Sequence, residues 1–139
     1  LAYNAIIRYI SRRDHSEKEI RTKLGRFYTA EAVKEAIEKA YEYKWIKDPS
    51  ELTEIFSRSL HRQGKGLRAV NVKLKAKGLP EVKKDSELEI EKARASLARK
   101  FKAQEPEIKL DRPQKQKAYR FLANRGFDHE TIMIVLKDI

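Results

Sequence analysis

The residues best suited to chemistry in this sequence are its cations. Between Ile55 and Pro80 there is no Asp or Glu, while Arg58, Arg62, Lys65, Arg68, Lys73, Lys75 and Lys77 all fall inside. A second acid-free stretch, Arg112 to Phe127, carries Arg112, Lys115, Lys117, Arg120 and Arg125, and a shorter one before Asp14 carries Arg8, Arg12 and Arg13. Ammonium and guanidinium groups massed in single-signed fields attract phosphates or an acidic protein surface, through contacts that are salt-sensitive and largely indifferent to base sequence. The whole chain agrees in sign, since 32 Lys plus Arg against 21 Asp plus Glu leave a net charge of +11. From these stretches Arg58, Arg62, Lys65, Arg68, Lys73, Arg120 and Arg125 are selected as candidate contacts to a partner.

Catalytic constellations are scarce by comparison. His15, His61 and His129 are the three histidines, and none has the H-E-x-x-H type of spacing that places two ligands on one helix face, so no metal site is expected. Gly64-Lys65-Gly66 resembles a phosphate loop but lacks the G-x-x-x-x-G-K frame and the preceding strand, and reads as a helix-ending turn. The absence of cysteine removes disulfides, thiolate metal sites and thiol nucleophiles, and fits a reducing compartment. No pair of glutamates is grouped with a nucleophile. The expectation is a non-enzyme with no catalytic residue and no cofactor. The longest apolar run, Ile132 to Leu136, is far shorter than the roughly 20 residues that span a bilayer, and no signal peptide opens the chain. A cytoplasmic protein with no membrane partner is expected. Leu1 in place of Met points to a piece trimmed from the N-terminus.

The elements that must position these cations are helices. Apolar residues recur at helical spacing, with no sustained alternation, so the fold class is all-α. Ile6 and Ile10 give one apolar face, Ile20 and Leu24 a second, and Val33, Ile37, Ala40 and Tyr41 a third. Ser16 with Glu19 reads as a capping box, Ser86 with Glu89 as another, and Asp48-Pro49 as a further start. Gly64, Gly78 and Gly126 suit left-handed helix ends. Connecting helices are placed at about Thr29 to Tyr43 and Ser86 to Lys102, with a short one starting at Pro80. Phe56, Phe121 and Trp45 read as packing residues.

Shifted against itself, the sequence repeats. Ile10, Asp14, Ile20 and Leu24 match Leu60, Gly64, Val70 and Leu74, then Leu122, Gly126, Ile132 and Leu136. Each set is a helix, a turn and a second helix, and the basic stretches fall on the first helix and turn. With 38% of residues charged, a thin body suits the composition better than a thick sphere. Three tandem three-helix repeats, stacked into an elongated, curved array, are therefore expected at residues 1–46, 47–84 and 85–139. The stretch from Lys102 to Gln114, with Pro106 and Pro113, reads as a flexible connection at about 103–113.

The segment from Arg13 through His15, Ser16, Glu19 and Ile20 to Lys23-Leu24 resembles the opening motif of the RecX family. Trp45-Ile46-Lys47-Asp48 and Arg62-Gln63-Gly64-Lys65-Gly66 through Leu79 are similar to its second unit, and Lys117 through Tyr119-Arg120-Phe121-Leu122 to Arg125-Gly126-Phe127 to its third. Lys65 and Lys73 depart from the family pattern, which often has an aromatic and an acidic residue there. The resemblance implies a regulatory protein that binds RecA filaments on single-stranded DNA and inhibits ATPase and strand exchange, modulating recombination, repair and the SOS response. It implies the RecA recombinase filament as partner, with direct contact to single- or double-stranded DNA left open; the chain itself is expected to be a monomer. A helix-turn-helix protein binding duplex DNA directly is the alternative reading.

Overall fold

The computed structural model describes residues 1–101 and 110–137, and every regular element among them is an α-helix. In chain order these are α1 (Ala2–Arg12), α2 (Glu17–Leu24), α3 (Ala30–Glu42), α4 (Pro49–Arg62), α5 (Leu67–Ala76), α6 (Ser86–Phe101), α7 (Arg112–Asn124) and α8 (His129–Lys137). They sort into two compact units, Leu1–Phe56 with Leu74–Glu81 and Ser57–Lys73 with Val82–Ile139. No described helix is long and apolar enough to cross a membrane.

The first unit is built around α1, α2 and α3. Helix α2 starts where its chemistry predicts: Ser16 Oγ accepts the Glu19 N–H at 3.2 Å and Glu19 Oε1 accepts the Ser16 N–H at 3.1 Å. Thr29 caps α3 from one side only, its hydroxyl oxygen accepting the Ala32 N–H at 3.1 Å. Ile6, Ile20, Leu24, Val33, Ile37 and Ala40 are buried together, with Ile10 and Tyr41 half-buried at the edge. Each large aliphatic side chain so buried contributes about 1.5–3 kcal/mol. Trp45 packs between Tyr3 and Tyr43, with ring centroids 4.5 and 5.5 Å away.

The second unit gathers Ala93 and Leu97 of α6, Ala118 and Leu122 of α7, Phe127, and Ile132, Val135 and Leu136 of α8. Most repeat positions behave alike: Val70 and Leu74 are fully buried, as are Ile20, Leu24, Leu122 and Ile132, with Leu60 and Leu136 nearly so and Ile10 half-buried. The turns do not. Gly64 and Gly126 take left-handed backbone, at φ +75° and +98°, whereas α1 runs into extended backbone at Arg13 (φ −165°). Asp14 therefore stands at a turn that needs no glycine.

Two expectations are corrected. No helix starts at Pro80. Residues 79–85 are non-helical, and Val82 is held by Asn71, whose Oδ1 accepts the Val82 N–H at 2.9 Å while its Nδ2 donates to the Val82 carbonyl at 3.3 Å. The middle segment thus supplies two helices. The cap of α6 is Asp85, which accepts the Leu88 N–H at 3.1 Å; Glu89 reaches instead to another helix. Of the connection placed at about 103–113, residues 103–109 lie outside the described residues, Leu110 and Asp111 are non-helical, and α7 begins at Arg112. Asp111 and Gln114 form a reciprocal capping box, with Pro113 in the first turn of α7.

Candidate polyanion-binding surface

All seven candidate cations fall in the second unit. On α4 the buried side is Leu52, Thr53, Ser57 and Leu60; Arg58 and Arg62, four residues apart, project from the opposite side and are exposed. On α5, Val70 and Leu74 turn inward while Arg68 and Lys73 are exposed. On α7, Ala118 and Leu122 turn inward and Arg120 outward. Lys65 is half-buried in the turn after α4. Arg125 is half-buried and already engaged, since its Nη2 donates to the Gln63 carbonyl at 3.1 Å and its guanidinium lies 5.6 Å from the Phe121 ring centroid.

The turn after α4 and the turn after α7 are brought into register by their backbones. The Gly66 N–H donates to the Arg125 carbonyl at 2.8 Å, and the Arg68 N–H to the Gly126 carbonyl at 3.0 Å. Glycine is required at this crossing. A β-carbon on Gly66 would lie 2.3 Å from the Gly126 carbonyl carbon, and one on Gly126 would lie 2.6 Å from Ala69. Arg99, which the sequence hid among mixed charges, brings its Nη2 close to Gly64 alongside Arg125 and Ser96.

Beneath this corner lies a buried ionic pair. Glu89 and Lys92, 3% and 7% exposed, meet at 2.5 Å. Glu89 Oε1 also accepts the Leu67 N–H at 2.6 Å, so the Gly66, Leu67 and Arg68 amides at the start of α5 are all bonded within the protein. Lys92 Nζ donates to the Lys65 carbonyl at 2.8 Å and lies 2.7 Å from His61 Nδ1. An ammonium can only donate to a deprotonated ring nitrogen, so this His61 is the neutral form. Burial, then the Lys92 charge, lowers its pKa from the usual 6.5. The turn therefore offers side-chain cations to a partner, not a cradle of free amides.

The first unit contains a parallel arrangement. Lys23 Nζ lies 2.7 Å from His15 Nε2, and His15 Nδ1 is 3.0 Å from the Arg13 carbonyl. Burial lowers the His15 pKa, against the help of that carbonyl, and the Arg13 and Lys23 charges lower it further. Glu19 is pushed up by burial but more strongly down by Arg13 at 2.6 Å, the Ser16 N–H and Lys77 at 3.2 Å, to about 2. Among the described residues no group of three or more His, Asp or Glu side chains could hold a metal ion.

Residues 2–39 match the family description "RecX, first three-helix domain" and residues 87–136 match "RecX, third three-helix domain". The chain is 35% identical over 133 residues to the regulatory protein RecX of Actinobacillus pleuropneumoniae, covering 92% of this chain and 87% of that one. It is 31% identical over 142 residues to the regulatory protein RecX of Prosthecochloris aestuarii, covering 99% and 93%. A crystal structure of RecX from Lactobacillus salivarius shares the fold, with a TM-score of 0.77 at 21% identity over 98% of this chain and 92% of that one. The helix-turn-helix repeats, the glycine-bounded turns and relatives that align along almost its whole length agree, and the chain belongs to the RecX family of regulatory proteins.

Proposed function

We propose that the chain regulates the RecA recombinase by binding its filament on single-stranded DNA, restraining ATP hydrolysis and strand exchange, and that Arg58, Arg62, Lys65, Arg68, Lys73 and Arg120 make the contacts. The observation that carries this reading is the outward set of cations on one compact unit, whose Glu89 is paired with the buried Lys92 and whose Asp128 is paired with the partly exposed Lys84. A filament on DNA is a polyanion with acidic protein surface, and several modest contacts on one body act together. Arg125 supports the surface from within by holding Gln63.

The test is charge reversal at Arg62→Glu, Lys65→Glu and Arg68→Glu together. Inhibition of the recombinase ATPase should weaken by about tenfold or more, while helical circular dichroism persists, because Arg62 and Arg68 are exposed and Lys65 is held through its carbonyl. Unchanged inhibition by the folded variant overturns the reading. Direct duplex binding draws support from α5, which presents Arg68, Lys73 and a 67% exposed Val72 after a tight turn. Recognition helices, however, lead with their N-terminal residues, and this N-terminus is packed on the α7–α8 turn. Sequence-selective gel shifts on free duplex, stronger than binding to preassembled filament, favour that second reading.

A further inference from the structure

Between α7 and α8 runs an open groove of about 600 Å³ that none of the seven candidate cations lines. Its apolar floor is Met133, Ile134 and Leu136 of α8, facing Gln116 and Tyr119 of α7. Met133 is 49% and Ile134 40% exposed, on a helix of nine residues whose other apolar side chains, Ile132, Val135 and Leu136, are buried. The outer face of a surface helix ordinarily carries polar groups, and adjacent bulky apolar residues there mark an interaction site. Arg112, Lys115 and Lys137 stand among the lining residues, and among the described residues no acidic side chain does.

We propose that this groove docks an acidic, amphipathic peptide segment of a partner protein. The segment's apolar side chains would seat on Met133, Ile134 and Leu136, with its carboxylates against Arg112, Lys115 and Lys137. A helix laid in a groove is held by this division of labour, and a methionine thioether adapts to the shape it receives. Charge decides the class of occupant. A second copy of this chain, related by a two-fold axis, would set this cationic rim against itself. Nucleic acid would find the right charge but the wrong floor, because bases stack on aromatic faces, and the one aromatic among the described lining residues, Tyr119, has its hydroxyl 2.8 Å from His129 Nδ1. The proposal is independent of the filament reading, since it uses other residues.

The probe is a fluorescein-labelled, helix-forming peptide with Leu at every third and fourth position and Glu at most others, followed by anisotropy against the whole chain. Met133→Glu with Ile134→Glu should weaken binding by about tenfold or more, and Lys115→Glu with Lys137→Glu by about tenfold with a flatter salt dependence. The same peptide with Lys for Glu should not bind, and Arg62→Glu with Arg68→Glu should leave binding unchanged. All these positions are exposed or half-buried, and circular dichroism checks that each variant folds. Three results overturn the proposal: peptide affinity indifferent to both groove pairs, an oligothymidylate whose binding falls with Met133→Glu and Ile134→Glu as the peptide's does, or a dimer in sedimentation that the same pair dissolves.

Discussion

The helix starts of α2 and α5 solve one problem by opposite routes. Each leaves amide hydrogens needing acceptors and lies near a lysine that donates to a neutral histidine: Lys23 to His15 in the first unit, Lys92 to His61 in the second. For α2 the acceptor is local, with Ser16 and Glu19 bonding each other's amides three residues apart. For α5 it arrives from 22 residues away, where Glu89 of α6 reaches the Leu67 amide. The local carboxylate is 15% exposed and shares its charge with Arg13 and Lys77, whereas the distant one is 3% exposed and faces one lysine at 2.5 Å. A short-range cap is cheap and tolerant. A long-range cap fastens two segments together and makes each depend on the other.

Breaking the two carboxylates separately should expose that difference. Glu89→Ala leaves a buried ammonium and the Leu67 amide unpaired, and is expected to lower stability by about 3–5 kcal/mol. Glu19→Ala loses a capping bond and pairs whose cations are partly exposed, about 1–3 kcal/mol. Equal shifts of the urea midpoint would erase the distinction. The turns sharpen it at the next level. Gly66→Ala must push the crossing backbones apart and should cost about 3 kcal/mol, Gly64→Ala about 1–2 kcal/mol for its left-handed φ, and Asp14→Ala below about 1 kcal/mol, since its pair with Lys47 is partly exposed.

The smallest effects are read by pH. His15 and His61 both titrate below the usual 6.5 when folded, so the unfolded chain takes up protons first. Their contribution is complete above pH 6.5 and drains away as pH falls below it. Replacing both by Gln, which keeps an acceptor for each lysine, should flatten the slope of the urea midpoint between about pH 7.5 and 5.5. Glu19 acts lower on the scale: its contribution is present above the usual 4.5 and lost as pH falls toward about 2. An unaltered slope in the double histidine variant would show that the two lysine–histidine pairs do not report on folding.

Local chemistry explains which features were legible in the sequence. Ser16 with Glu19, Asp48 with Pro49, and the left-handed Gly64, Gly78 and Gly126 act within a few residues, and each does what its type and spacing predict. Arg58, Arg62 and Arg120 could be placed outward because helical periodicity fixes their side relative to buried neighbours. Ser86 with Glu89 misled because the motif is local but the carboxylate's best acceptor role lay on α5. Asp111 with Gln114 is a readable box that the neighbouring prolines obscured. Arg125 looked like its acid-free neighbours, and only the fold turns it toward Gln63. Met133 and Ile134 sat hidden in an apolar run, although five consecutive apolar residues on a helix cannot all face one core.

The crossing of Gly66 and Gly126 carries one further consequence. An ordinary helix end frays, exchanging its amide hydrogens with solvent through small private fluctuations. Here the amides of Gly66 and Arg68 end on carbonyls about sixty residues further along, so the start of α5 is unlocked only when the corner between α7 and α8 swings away. Two distant stretches of sequence thereby share a single opening event, and a protease or a deuteron gains access to both or to neither.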